Sequence, residues 1–304
     1  MIYDLIIIGG GPAGLTAALY ARRANKSVIV LEKATFGGQI TFSPKVENIP
    51  GFASLSGNEF AEKLVEQVLL QGAEVDSCEV TELRDGKTKT VVTDGGTYEG
   101  KAVILATGAR HRLLGLPHEE ELIGNGISFC AVCDGAFFKD KKVAVIGGGN
   151  SALQEALLLS DLAAEVTVVQ NLDFLTGEQK LRDALSEKAN VKVILGTVVD
   201  SYIGESELTG IRIRREADGA LSELPLDGVF LAVGLVPQNE AFAGVVSLDA
   251  RGYAEAGEDC HTGTDGIFVA GDCRTKRIRQ VTTAAADGAI AALAACDYVD
   301  SLIS

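Results

Sequence analysis

The chain has no surplus of basic residues. Its 27 Lys and Arg stand against 42 Asp and Glu, for a net charge of −15. Without a basic stripe there is no counter-charge for a nucleic-acid backbone, and an anionic membrane would repel such a surface. Long apolar runs are also missing. The longest are strand-length, well short of the roughly 20 residues of a membrane-spanning helix. The opening Met1-Ile2-Tyr3-Asp4 enters a strand with no basic segment before it, which argues against a secretory signal and makes the expected location cytoplasmic. The three histidines form no spaced cluster, and Cys260 and His261 are adjacent instead of ligand-spaced, so no metal is expected. Cysteines are few for a chain of 304 residues, six in all, and do not make a small disulfide framework. Cys78, Cys273 and Cys296 read as small core residues.

What is abundant is glycine, 35 residues, several of them at strand ends. Asp4-Leu5-Ile6-Ile7-Ile8 is a continuous apolar run, as a parallel strand buried on both faces requires. It enters Gly9-Gly10-Gly11-Pro12-Ala13-Gly14, and a helix to about Asn25 and the strand Ser27–Leu31 follow. In such a βαβ unit Gly9 permits the tight turn, Gly11 lets the backbone approach a pyrophosphate, and Gly14 lets helix and strand pack closely. The helix start, with Pro12 and Ala13, presents unpaired N–H groups to the phosphates. Glu32 closes the second strand about 20 residues after the turn, where an acid accepts hydrogen bonds from ribose hydroxyls.

The pattern then repeats. Lys142–Ile146 is a second strand, Gly147-Gly148-Gly149-Asn150-Ser151-Ala152 a second turn, and Glu165–Val169 a second closing strand. The duplication is the main organisational fact of the chain. Apolar strands at Ala102–Leu105, Gly228–Val233 and Ile267–Ala270 run into Ala106-Thr107-Gly108, Gly234 and Gly271-Asp272. A helix is expected from about Asn58 to Leu70, and an alanine-rich helix from about Thr282 to Val299. The fold class that follows is α/β. Two Rossmann-like nucleotide-binding domains are expected, the second inserted in the first, three-layer with parallel sheets. The first would comprise 1–112 and 246–304 and the second 113–245.

Just before the second turn lies Ser128-Phe129-Cys130-Ala131-Val132-Cys133-Asp134-Gly135. A close cysteine pair in a reducing compartment is catalytic, redox-sensing or metal-binding. Between two nucleotide sites it suggests electrons passing from a nucleotide, through a flavin, into a disulfide. The spacing suits a small ring at a helix start, where the dipole lowers a thiol pKa. The competing zinc reading lacks a second ligand pair.

Together these residues resemble the low-molecular-weight thioredoxin reductases, FAD-dependent pyridine-nucleotide-disulfide oxidoreductases. The resemblance covers nearly the whole chain. It rests on Gly9–Gly14, Gly37-Gly38-Gln39, Val46–Gly51, Ala106–Gly108, Cys130–Asp134, Gly147–Ala152, Ala270–Asp272 and Arg279-Gln280. It implies that Gly9, Gly11, Pro12, Ala13, Gly14 and Glu32 hold the adenosine half of FAD. Gly38, Gln39, Asn48, Asp272, Arg279 and Gln280 would line the flavin half, with Thr107 and Gly108 beside them. It further implies a homodimer, a two-stranded hinge between domains that rotate about segments near 112–118 and 240–248, and a thioredoxin-like disulfide as substrate. Cys133 would face the flavin, Cys130 would attack the partner disulfide, and Asp134 would serve as acid and base.

The nicotinamide nucleotide, NADPH or NADH, is expected on Gly147, Gly149, Asn150, Ser151, Ala152, Glu155, Gln170, Asn171 and Gly234. Here the chain departs from the family. Gln170 stands at the position matching Glu32, and Gln170-Asn171-Leu172 replaces a His-Arg-Arg run. A 2′-phosphate carries about two charges and is normally met by Arg. Strong NADPH preference is therefore not expected, and ferredoxin is an alternative donor. A small-molecule dithiol oxidase of the same fold is the rival activity.

Overall fold

A computed structural model of the chain describes residues 1–43 and 46–302. It divides into two compact units. One comprises Met1–Pro44, Ile49–Arg110 and Val236–Ser304, the other Lys45–Asn48 and His111–Leu235.

In the first unit the strand Ile2–Ile8 lies at the centre of a parallel sheet, between Val28–Glu32 and Thr97–Leu105. Glu74–Ser77 adds outside Val28–Glu32, and Ile267–Val269 adds alongside Val103–Leu105. The strand Thr97–Leu105 joins the parallel and antiparallel parts of one seven-stranded sheet. Its first half pairs antiparallel with Lys89–Thr93, which pairs in turn with Val80–Arg84. Leu5 and Ile7 face the helices Pro12–Arg23 and Val281–Ser301, while Ile6 and Ile8 face Leu83, Val91, Phe242 and Val246. Both faces are covered, which is why the strand is apolar throughout instead of alternating. The alanine-rich terminal helix lets backbones come close. A Cβ on Gly288 would lie 2.2 Å from the Ala13 carbonyl oxygen, so only glycine fits there. The helix Gly57–Leu70 starts at a capping box, with Ser56 Oγ accepting the Glu59 N–H at 3.1 Å and Glu59 Oε2 accepting the Ser56 N–H at 2.7 Å.

The second unit repeats the plan. Its parallel sheet runs Val191–Ile194, Glu165–Val169, Lys142–Ile146, Gly228–Leu231 and Ile127–Ser128. Val143 and Val145 pack on Leu153, Ala156 and Leu159 of the helix Asn150–Ser160. Ala144 and Ile146 pack on Val199, Ile211 and Ile213 of a three-stranded antiparallel sheet, Thr197–Ile203, Gly210–Arg215 and Leu221–Pro225. The fifth strand marks the difference between the copies. In the first unit it comes last in the chain and feeds Gly271-Asp272. In the second it comes first and feeds the cysteine stretch.

The chain returns to the first unit at Val236, ten residues before the expected 246 (246 − 236). The reason is packing. Phe242 and Val246 are buried in the first unit's core. Asn239 is buried too, accepting the Thr107 hydroxyl at 2.9 Å and donating to the Cys273 carbonyl at 2.8 Å. The outgoing crossing falls at His111 instead of 113. The segment 240–248, expected as a hinge, lies within the first unit, held there by Phe242 and Val246. The two crossings are the strands Ala109–His111 and Leu235–Pro237, which pair with each other. Among the described residues no helix is long and apolar enough to cross a membrane.

Candidate active site

The first unit's glycine turn is sterically determined. Gly9 has φ of 112°, and a Cβ there would lie 2.2 Å from the Ala106 carbonyl oxygen. A Cβ on Gly14 would lie 1.9 Å from the Gly9 oxygen. Gly11 differs, since its nearest neighbour would be Gly37 O at 4.0 Å. Space over Gly11 is what a pyrophosphate needs, and Gly11 and Pro12 begin the helix with no side-chain cap competing for its N–H groups. Glu32 is held at this turn, accepting the Gly10 N–H at 2.7 Å and the Ala34 N–H at 2.8 Å. Gly38, with φ of 64°, opens a short 3₁₀ helix, and its Cβ would meet Gly11 Cα at 3.3 Å. Gln39 is exposed on that helix.

Asp272 reaches the same end of the sheet. Gly271 packs on Ala13, where an added Cβ would meet the Ala13 Cβ at 2.8 Å. Asp272 Oδ1 is buried and has no partner. Burial pushes this carboxyl up to about 6, against the pull of Lys276 and Arg279. Arg279 donates to the Asp272 carbonyl at 3.3 Å and lies over Tyr253, 4.3 Å from the ring centroid. Gln280 caps the terminal helix in a box with Thr283. Gly108, with φ of 70°, faces open space. An orphaned acceptor, an open glycine and a bare helix start in one place fit the ribityl and pyrophosphate groups of a flavin dinucleotide. Asn48 clusters with the second unit, so it is not among the residues the first unit brings together.

In the second unit Gly147 has φ of 130° and its Cβ would meet Ala232 O at 2.6 Å. Ala152 is fully buried against this turn, and Gly149 begins the helix Asn150–Ser160. Ser151 is exposed in its first turn. Asn150 is bound to the next loop, donating to Glu178 Oε1 at 2.9 Å and accepting the Glu178 N–H at 2.7 Å. Gln170 occupies the place Glu32 has in the first unit. Its amide lies 2.5 Å from where a Gly148 Cβ would be, and it donates weakly to the Phe174 carbonyl at 3.4 Å. Asn171 is exposed, and Gly234, with φ of 110°, faces open space. One cation near this loop escaped the sequence reading. Arg182 Nη1 donates to the Leu175 carbonyl at 3.4 Å, and its Nε is buried without a partner. It lies on the following helix, outside the positions where family arginines are expected, so sequence matching passes over it.

Cys130 and Cys133 form a disulfide across the single turn Ala131–Asp134. A four-residue helix has little dipole, so the expected dipole effect is replaced by one directed bond, the Cys133 N–H donating to Cys130 Sγ at 3.2 Å. Ser128 donates to Asp134 Oδ2 at 2.6 Å and accepts the Cys130 N–H at 3.2 Å. Asp134 Oδ1 is buried without a partner. Burial pushes the Asp134 carboxyl up, and the Ser128 bond pulls it partly back. His111, read as a linker residue, stacks on Phe129 at 4.4 Å, and burial pushes it down to about 4, so it is neutral near pH 7. Glu155, expected at the nucleotide, has its Oε2 buried without a partner, and burial pushes its carboxyl up to about 8. Ser128 was not legible as a partner of Asp134, because the pairing depends on how the short strand sits against the turn.

A dinucleotide turn in each of two duplicated units, with a disulfide closed beside a half-buried acid in one of them, defines a class. The chain belongs to the pyridine nucleotide-disulphide oxidoreductase family, whose model matches residues 3–288. Within that family it is similar to the thioredoxin reductase of Listeria monocytogenes, 44% identical over 303 residues, covering 99% of this chain and 95% of that one. It is 41% identical to the thioredoxin reductase of Bacillus subtilis, over 99% of this chain and 96% of that one. The crystal structure of thioredoxin reductase from Streptococcus pyogenes superposes with a TM-score of 0.93 at 39% identity, covering 99% of both chains.

Proposed function

We propose that the chain is an FAD-dependent thioredoxin-disulfide reductase that draws electrons from NADH or NADPH without strong preference for the 2′-phosphate. The observation that carries this reading is the Cys130–Cys133 disulfide with Asp134 and Ser128 packed against it, on a unit with its own dinucleotide turn.

FAD, when bound, supplies the two-electron relay between a nicotinamide and a disulfide. In the first unit Gly9, Gly11, Pro12, Ala13, Gly14 and Glu32 hold its adenosine half, and Gly38, Gln39, Thr107, Gly108, Asp272, Arg279 and Gln280 its flavin half. Asn48 completes that set by resemblance. Gly147, Gly149, Asn150, Ser151, Ala152, Glu155, Gln170, Asn171 and Gly234 take the nicotinamide nucleotide.

Once the dithiol is formed, the Cys130 thiolate attacks the partner disulfide. A Cys130–partner bond forms, the partner's S–S bond breaks, and the partner thiolate that leaves takes a proton from Asp134. The Cys133 thiolate then attacks Cys130 Sγ, which expels the second partner thiolate and restores the disulfide. The Cys133 N–H aimed at Cys130 favours the thiolate that begins the sequence. The unoccupied lone pairs of Asp134 Oδ1 leave room for the proton it carries. The partner is a thioredoxin or a thioredoxin-like protein, the enzyme is a homodimer, and its location is cytoplasmic.

Anaerobic flavin bleaching with NADH, NADPH and reduced ferredoxin in parallel, followed by addition of oxidised thioredoxin, tests the reading. Bleaching by both nicotinamides and reoxidation by thioredoxin, lost in Cys130→Ser, is the expected result. Bleaching by ferredoxin alone would replace the donor. Rapid oxygen uptake with a small dithiol, and no thioredoxin reduction, would replace the function by that of a dithiol oxidase.

A further inference from the structure

The loop that follows Gln170 is fastened to the second unit's nucleotide turn. The N–H groups of Thr176 and Gly177 both donate to the Gly148 carbonyl at 2.9 Å. Asn150 and Glu178 exchange hydrogen bonds, the Asn150 amide donating to Glu178 Oε1 at 2.9 Å and Asn150 Oδ1 accepting the Glu178 N–H at 2.7 Å. Gly177 is buried against the nucleotide helix, where a Cβ would lie 2.4 Å from Leu153 Cδ1. These ties bring the exposed Thr176 to Gly149. The nearest neighbour of a Cβ on Gly149 would be Thr176 Oγ1, at 3.7 Å. Gly149 is the glycine that a pyrophosphate approaches, at the start of an 11-residue helix with no side-chain cap on its N–H groups.

In the first unit the loop is tied to the turn in the same way, with the Gly37 N–H donating to the Gly10 carbonyl at 2.8 Å. There the nearest neighbour of a Cβ on Gly11 would be the Gly37 carbonyl oxygen, at 4.0 Å. A carbonyl oxygen only accepts, so it offers a phosphate nothing. A hydroxyl can donate, and a hydrogen bond to an anion is about twice as strong as one between neutral groups. The second unit thus places a donor side chain where the first has an acceptor. The same geometry sets the part of Asn150. Both ends of its amide are bound to Glu178, so its side chain holds the loop, and its backbone N–H at the helix start is left for a ligand.

We propose that Thr176 binds the pyrophosphate of the nicotinamide nucleotide, its hydroxyl donating to a phosphate oxygen over Gly149, and that Asn150 and Glu178 are the positioning pair that holds it there. The pyrophosphate is common to NADH and NADPH, so this contact adds affinity for both and selects neither. The inference rests on the reading of the second unit as the seat of a nicotinamide nucleotide.

Titration calorimetry of the flavin-loaded protein, in which the first unit's turn is occupied, measures the binding of ADP-ribose and of 2′-phospho-ADP-ribose. Neither ligand carries a nicotinamide, so no electrons move. Thr176→Val keeps the shape of the side chain and removes the donor, and should weaken both ligands by about tenfold. Thr176→Ser keeps the donor and should stay within about threefold of wild type. Glu178→Ala should weaken both ligands and speed amide exchange at Thr176 and Gly177. Glu178→Gln keeps an oxygen for the Asn150 amide and should restore both readouts. Equal ADP-ribose affinity in wild type and Thr176→Val overturns the contact, as does a loss confined to the 2′-phosphorylated ligand. Unchanged affinity and exchange in Glu178→Ala overturn the positioning pair. A wild type that binds neither ligand overturns the nicotinamide donor of the proposed function together with the contact, so wild type alone tells the two failures apart.

Discussion

The Ser128 hydroxyl donates to the Asp134 carboxylate at 2.6 Å, across a stretch that contains both redox cysteines. This bond stabilises the ionised carboxylate, while burial stabilises the protonated one. Ser128→Ala removes the first effect and leaves the second, so Asp134 should hold its proton to higher pH. A hydrogen bond to a charged group is worth about 1.5–3 kcal/mol and 1.36 kcal/mol is one pH unit, so the alkaline limb of thioredoxin reduction should move up by about one to two units. The check is kcat against pH for both proteins; an unmoved limb would remove Asp134 from the acid role.

Gly11 and Gly14 separate binding from folding. Gly14→Ala places a methyl 1.9 Å from a carbonyl oxygen and should destabilise the protein by at least about 1–3 kcal/mol, with loss of flavin. Gly11→Ala meets no atom nearer than 4.0 Å, so stability without flavin should change by under about 0.5 kcal/mol while flavin affinity falls at least tenfold. Denaturant unfolding of the flavin-stripped variants and flavin titration distinguish the two. Equal loss of stability in both would contradict the open space above Gly11.

Asp287 joins the terminal helix to the Asp272 loop. It accepts Arg274 Nε at 2.8 Å, Arg274 Nη2 at 2.9 Å, Lys276 Nζ at 2.9 Å and the Gly271 N–H at 2.9 Å. Burial pushes its carboxyl up, but the bonds from Arg274, Lys276 and Gly271 outweigh this and hold it below the usual range. A lowered folded pKa contributes stability that is present above the unfolded value and lost as pH falls through the folded one. Asp287→Asn leaves Lys276 without its ion-pair partner and Arg274 with only the exposed Glu258 at 3.5 Å, and should cost about 3–5 kcal/mol at pH 7. The gap from wild type should close as pH is lowered past about 4, the unfolded carboxyl value. Unfolding curves from pH 7 down to 3 measure it.

Gln170 and Asn171 bear on the electron donor. With no arginine at these positions, NADPH should bleach the flavin within about tenfold of the NADH rate. Gln170→Arg with Asn171→Arg supplies charge for a 2′-phosphate, and each charge-assisted bond of about 1.5–3 kcal/mol corresponds to roughly a ten- to hundredfold gain for NADPH over NADH. Stopped-flow bleaching with each nucleotide is the measurement. If Arg182, with its buried unpartnered Nε, already binds the phosphate, wild type will favour NADPH strongly and Arg182→Ala will abolish that preference.

The sequence by itself determined the duplicated α/β plan, because it is written in local signals. Apolar runs long enough for buried strands, glycines at strand ends, and helices that begin just after them recur in the same order twice. It also determined the redox pair, since two cysteines so close have few other uses in such a chain. Three things were decided only by tertiary structure. The return of the chain to the first unit at Val236 depends on Phe242, Asn239 and Val246 finding buried partners far away in sequence. The pairing of Ser128 with Asp134 depends on a two-residue strand, too short to show a period. The burial of Glu155 Oε2 without a partner depends on which side of the nucleotide helix packs inward, and helical spacing alone assigns a side chain to a face without saying what that face meets.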